Sequence, residues 1–195
     1  MSNKIKSLGS VSGATRGVLI TGGTNATPIV ATLTAGHRQR NGSRLAIAGV
    51  TGLLAMNGEW TLRAVAATTA ALNGSVGNGT FGGTATVSVI CDESPFLPGH
   101  SAVAWASDLG AAAVFVGTIV FEKADSIDAT QHYYTSSASA PVAGFADALM
   151  SGEIAIPAFG AVGGGSVKVE VALARYMTMR CSAYTSGSAI GGLIA

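Results

Sequence analysis

Glu122, Asp125, Asp128 and His132 form the densest set of ionisable side chains in the chain. Carboxylates at this spacing can face a Ca²⁺ ion, but the glycine and closing glutamate of an EF-hand loop are missing. A Glu and an Asp across a cleft can also act as acid and base on a glycoside. A solvated loop between two strands accounts for the same four residues, and we prefer it. Gly77-Asn78-Gly79-Thr80-Phe81-Gly82 satisfies the dinucleotide string G-x-G-x-x-G. That site needs a helix after the glycines, whereas Thr84 to Ile90 continues as a strand pattern, so the string reads as a turn. Gly99-His100-Ser101 lacks the strand-turn-helix setting of a nucleophile elbow, which leaves Ser101 as a loop serine. His37 stands at a strand-to-turn boundary and reads as a structural hydrogen-bonder. Tyr133, Tyr134 and Phe145 could stack on sugar rings if exposed together, an idea weakened by an aromatic content of only 6%. Trp60 and Trp105 read as core or rim aromatics. Arg180 reads as a partner of Glu170 or Glu122 across a sheet. Cys91 and Cys181 are lone thiols without metal-ligand spacing, best placed in a core, with a disulfide the lesser alternative. The expectation is a protein that is not an enzyme, with no catalytic, cofactor or metal residue.

The elements around these residues are strands. Asn-Gly pairs fall at 41–42, 57–58, 73–74 and 78–79, and the first three are sixteen residues apart. Asn-Gly tolerates the positive φ angles of a type I′ hairpin turn, and the segments between alternate apolar with small polar residues. Residues 24–90 therefore read as a small, closely turned all-β module. The segment 91–100, with Pro95, Pro98 and Gly99, reads as a linker. From Ser101 to Ala195 the pattern returns in SAVAWASD, AAAVFVGTIVFE, TQHYYTS, IAIPAF, SVKVEVALA, YMTMRCSAY and SAIGGLIA, which suggests an antiparallel β-sandwich. Val142 to Gly152 is the one candidate for a short helix. The fold class expected is all-β, a closely turned module followed by an antiparallel β-sandwich; that the first is a small β-barrel is what the resemblance described below implies. Residues 1–23 are polar and glycine-rich apart from Val18-Leu19-Ile20. They read as an extended arm that orders on the edge of a neighbouring subunit.

Composition narrows the partners. Charged residues make up 11% of the 195, less than half of the usual quarter. A chain so poor in charge loses much of its surface to neighbouring subunits more readily than it coats itself with serine and threonine. A net charge of +1 and a pI near 7.8 show no basic stripe for nucleic acid; Lys4, Lys6 and Arg16, and separately Arg38-Gln39-Arg40, are local spots. Mean hydropathy is +0.46, yet the longest apolar run, Leu109 to Phe121, is too short for a membrane-spanning helix and is rich in β-branched residues. No membrane partner is expected. The start, MSNKIKSLGSVSGATRG, has no apolar run of a secretory leader, so assembly in the cytoplasm is expected. The Asn-x-Ser/Thr strings at Asn41, Asn73 and Asn78 coincide with turns and need no glycan to explain them.

Two stretches carry a resemblance. His37, Asn41 to Gly52, Asn57-Gly58-Glu59-Trp60-Thr61 and Leu72 to Gly79 follow in an order similar to a small β-barrel repeat. That repeat is frequent in tailed-bacteriophage virion proteins and distantly similar to the first catalytic-cysteine half-domain of ubiquitin-activating enzymes. No activating chemistry is carried over, because no ATP site or ubiquitin-accepting cysteine matches. Arg38 to Arg40 is more basic than the Gly-Leu that usually follows the histidine. Gly117-Thr118-Ile119-Val120-Phe121-Glu122, Val167 to Val171 and Tyr176 to Ala189 resemble strands of phage β-sandwich domains, with Met177, Met179 and Cys181 in place of β-branched residues. The resemblance implies a virion structural protein, assembled in the host cytoplasm. Its expected partners are itself, as a homo-oligomer with a trimer favoured, and other virion proteins such as the major capsid protein. A multi-copy head decoration or capsid-stabilising role is expected, with a tail or adaptor component second. The alternative of another class is a carbohydrate-binding or depolymerising module built on Tyr133, Tyr134, Asp125 and Asp128.

Overall fold

The computed structural model describes residues 5–11, 17–91, 101–108, 116–124, 134–135, 153–156, 164–170 and 175–194. In chain order the strands are β1 (Ile5–Val11), β2 (Ile20–Gly23), β3 (Val30–Leu33), β4 (Arg44–Val50), β5 (Gly58–Arg63), β6 (Thr69–Leu72) and β7 (Gly83–Ile90). They continue with β8 (Ser101–Asp108), β9 (Val116–Ala124), β10 (Tyr134–Thr135), β11 (Glu153–Ile156), β12 (Gly164–Glu170), β13 (Tyr176–Ser186) and β14 (Ala189–Ile194). One short 3₁₀ turn, Leu54–Met56, is the sole helical element among the described residues. All-β was the expected class, and the antiparallel strands bear it out.

Two sheets hold the chain. Four strands run β1-β14-β8-β12, and ten run β10-β9-β13-β7-β4-β5-β6-β3-β2, with β11 also on β9. The long sheet curls into a half-barrel because β5 changes partner along its length. Gly58 to Thr61 pair with β4, and Leu62 and Arg63 pair with β6. The curl brings β2 back beside β7. Central strands are buried on both faces: Leu45, Ala46, Ile47 and Ala48 of β4 are buried, as are Met177, Thr178 and Met179 of β13. Such double burial is what a strand covered by a second layer requires.

Three expectations are corrected here. The described residues of the expected arm, 5–11 and 17–23, pack on their own subunit: β1 pairs antiparallel with β14. Leu8, Val11, Val18 and Ile20 are buried at 0%, 1%, 2% and 6% exposure, while Leu19 is half-buried. The glycines that made the segment look uncommitted let backbones cross. A Cβ on Gly9 (φ +97°) would sit 1.8 Å from the Gly17 carbonyl oxygen. Gly17 N–H in turn donates to Met179 O at 2.8 Å.

The division into 24–90 and 101–195 about a linker also gives way. β7 pairs with β13, which pairs with β9, so strands from both sides of 91–100 share one sheet. One buried cluster joins Leu8, Leu45 and Val87 to Ile119, Met179 and Leu193. The apolar demand of each half is met by the other, so neither needs a closed core of its own. Residues 92–100 and the candidate helix 142–152 lie outside the described residues.

The Asn-Gly turns are the third correction. Gly42, Gly58 and Gly74 have φ of +86°, +130° and +79°, but Asn41, Asn57 and Asn73 are not at positive φ. Type I′ needs both central residues there, whereas type II needs only the second. Ser43 N–H to Arg40 O at 3.0 Å and Ser75 N–H to Leu72 O at 3.1 Å close two such turns. Asn57 is extended (φ −69°, ψ 138°), and its side-chain amide brackets Val50 through both N–H and C=O.

Candidate functional site

The connection from β3 to β4 carries His37-Arg38-Gln39-Arg40, whose side chains alternate between core and solvent. His37 is 4% exposed and Gln39 7%, whereas Arg38 and Arg40 are exposed. The inward pair is hydrogen-bonded to backbone and to each other. Gln39 N–H donates to His37 Nδ1 at 2.9 Å, which leaves the ring proton on Nε2 to donate to Ala66 O at 3.0 Å. Gln39 Nε2 donates to His37 O and to Ser7 O, each at 3.1 Å. Both histidine nitrogens are thus occupied by backbone, which suits an anchor and leaves no lone pair for a base. Arg38 adopts φ +57°, a conformation costing a non-glycine residue on the order of 1 kcal/mol. It persists where neighbouring bonds over-determine it.

Beside this loop lies a cleft of about 650 Å³ lined by Lys6, Arg38, Arg40 and Arg44 together with Ser7, Ser43 and Ile190. Three elements bring the cations together: β1 supplies Lys6, the loop supplies Arg38 and Arg40, and β4 supplies Arg44. Lys6 Nζ donates to Ile90 O at 2.7 Å. Arg44 reaches a Glu59 carboxylate oxygen at 3.3 Å. Glu59 also accepts from Arg175 at 2.8 Å and from Tyr176 OH at 2.6 Å, and the Arg175 guanidinium lies 5.3 Å from the Tyr176 ring centroid. Residues 1–91 contain no other carboxylate. A cleft with this donor set can hold carboxylate or phosphate groups, with each guanidinium offering a two-pronged contact.

Of the residues singled out in the sequence, Asp125, Asp128, His132, Tyr133, Phe145 and His100 lie outside the described residues. Glu122 stands on β9 opposite Thr178 of β13 and Thr135 of β10. Ser101 is the first residue of β8, paired with Glu170, and not a loop serine. Trp60 is half-buried against the core with Nε1–H on Met56 O at 2.8 Å. Cys91 and Cys181 are buried and not joined in a disulfide. The glycines of 77–82 serve backbone packing: a Cβ on Gly79 would meet Gly52 O at 2.3 Å, and one on Gly77 would meet Asn25 Oδ1 at 2.4 Å. β7 follows this loop, so no helix N-terminus faces it. Among the described residues no group of three His, Cys, Asp or Glu side chains is placed to hold a metal, and no helix is long and apolar enough to cross a membrane.

In the sequence Lys6 and Arg38-Gln39-Arg40 read as separate local spots; the fold brings them together and adds Arg44. A signal was present in the distribution of charge. Residues 1–91 carry seven Lys and Arg against Glu59 alone, a net +6, and residues 92–195 carry four against nine acidic residues, a net −5. The total of +1 hides both. No protein-family model, curated protein or solved structure matches the chain.

Proposed function

We propose that the chain is a non-enzymatic virion structural protein, present in many copies, that stabilises or decorates a capsid by packing against itself and against shell subunits. The observation that carries this reading is a surface short of charge: 11% charged residues over the chain, with Ile5, Leu54 and Val76 exposed at 65%, 60% and 60%. Large apolar side chains left in water favour burial against another subunit, and open strand edges favour pairing there. The all-β architecture and the resemblance of the 37–79 and 117–189 segments to phage strands support the same reading. Particles purified from a culture that expresses the gene should contain the chain at a copy number comparable to that of the shell protein. Its absence from such particles overturns the virion role, and a place on the tail in a particle reconstruction replaces decoration with the adaptor role.

A further inference from the structure

We infer that Asn73 is the position at which this chain is modified by its own chemistry, its side-chain amide giving way to a carboxylate through ring closure onto the Gly74 nitrogen. Asn-Gly pairs stand at 41–42, 57–58, 73–74 and 78–79. Glycine after asparagine favours that closure, because without a Cβ the peptide plane turns freely and brings its nitrogen against the asparagine Cγ. The sequence thus offers four candidates of equal chemistry, and the fold separates them. Asn41 Oδ1 accepts from Val65 N–H at 3.0 Å, and Gly42 N–H donates to Leu62 O at 2.9 Å. Asn57 is held at both amide atoms by Val50, and Gly58 begins β5 opposite Ile47 of β4. Asn78 Oδ1 accepts from Ala55 N–H at 3.0 Å, and Gly79 N–H donates to Asn25 Oδ1 at 3.3 Å. At 73–74 the reacting groups are clear. Asn73 and Gly74 are exposed, and among the described residues no hydrogen bond reaches the Asn73 amide or the Gly74 N–H. Nothing lies within 4 Å of a Cβ built on Gly74.

The step balances with water alone. The Gly74 nitrogen bonds to Asn73 Cγ, the Cγ–Nδ2 bond breaks, and the amide leaves as ammonia with the proton that the Gly74 nitrogen gives up. Water then opens the cyclic imide at either carbonyl. Opening at the side-chain carbonyl leaves aspartate. Opening at the main-chain carbonyl leaves isoaspartate, whose backbone runs through Cβ and Cγ and is longer by a carbon. That carbon matters because the turn is clamped on both sides. Leu72 N–H donates to Ile29 O at 2.9 Å, Ser75 Oγ accepts from Ile29 N–H at 2.8 Å, and Leu72 and Ser75 are both buried. A longer link between these fixed points strains the turn, whereas aspartate adds charge and leaves the backbone path as it was.

The test is peptide mapping by mass spectrometry of the full chain held at mildly alkaline pH, folded and, in parallel, unfolded in guanidinium. Electron-transfer fragmentation tells isoaspartate from aspartate, and an isoaspartate methyltransferase with a labelled methyl donor counts the former. In the folded chain Asn73 should exchange its amide for a carboxyl about tenfold or more faster than Asn41, Asn57 and Asn78, each of which must first break hydrogen bonds that Asn73 lacks. The rate should rise with pH, since hydroxide strips the proton from the Gly74 nitrogen. In guanidinium the four should convert at similar rates. Asn73→Asp should melt with wild type, and aged protein enriched in isoaspartate should melt lower than either. Aged protein that melts with Asn73→Asp overturns the clamped turn. A folded chain in which Asn41, Asn57 or Asn78 converts first, or as fast as Asn73, overturns the inference. So does a folded chain that keeps Asn73 intact over the time in which the unfolded chain converts.

Discussion

Leu8→Ala distinguishes a structural first strand from an arm. Leu8 is fully buried in β1, and the change removes three carbons. At about 0.8 kcal/mol per buried carbon the transfer loss is roughly 2.4 kcal/mol. A cavity term adds to it, because the site cannot collapse. β14 is hydrogen-bonded along one side of β1, and Gly17, on the other side, is tied to Ser10 and Met179. The total is about 3 kcal/mol, within the usual range for Leu→Ala in a core. For a chain of this size that lowers the melting temperature by about 6 to 12 °C. Thermal and urea unfolding followed by circular dichroism give the measurement. Ile5→Ala, at 65% exposure on the same strand, is the control and should stay within about 0.5 kcal/mol of wild type. Equal stability of Leu8→Ala and wild type would refute the packing described for β1.

Ser75→Ala should cost about 2 kcal/mol, since Ser75 Oγ accepts from Ile29 N–H at 2.8 Å and donates to Leu72 O at 2.6 Å in a buried site, leaving a buried donor unpaired; unchanged unfolding by urea would contradict it. Gly52→Ala should destabilise by about 2 kcal/mol through overpacking, its Cβ landing 2.0 Å from Thr80 O. Gly74→Ala has open space but φ +79° and should cost about 1 kcal/mol, so the reverse ranking in thermal melts would count against the geometry. Arg38→Gly should fold as well as wild type to within about 0.5 kcal/mol, because relief of the positive φ offsets the added freedom of the unfolded chain. A melting temperature well below that of wild type would show that the arginine side chain contributes to the fold of the loop.

Strand content was legible because turn residues and alternating apolar positions are local properties. Val30 to Leu33 shows it plainly, with Ala31 and Leu33 inside and Thr32 outside. What escaped was every feature set by partners distant in sequence. Val18 and Ile20 were apolar enough to demand burial, but nothing local says that their cover comes from their own subunit. Asn57 looked like a turn residue, yet its amide is taken by Val50 across the 51–56 connection. Glu59 and Tyr176 are 117 positions apart, so their bond leaves no periodic trace. The two-unit reading failed for the same reason: strand pairing across 91–100 depends on β13, which arrives late in the chain.

The arginine at position 38 ties the backbone argument to the functional one. A glycine would take φ +57° at no steric cost. An arginine there carries strain on the order of 1 kcal/mol, and the bonds from His37 and Gln39 to Ala66, Ser7 and the loop itself hold it in place. The backbone therefore gains nothing from the arginine, and any gain must lie in the side chain. That side chain lines a cleft with three further cations, on the half of the chain whose net charge is +6. The side chain at position 38, and not its backbone, is therefore where a reason for the arginine lies.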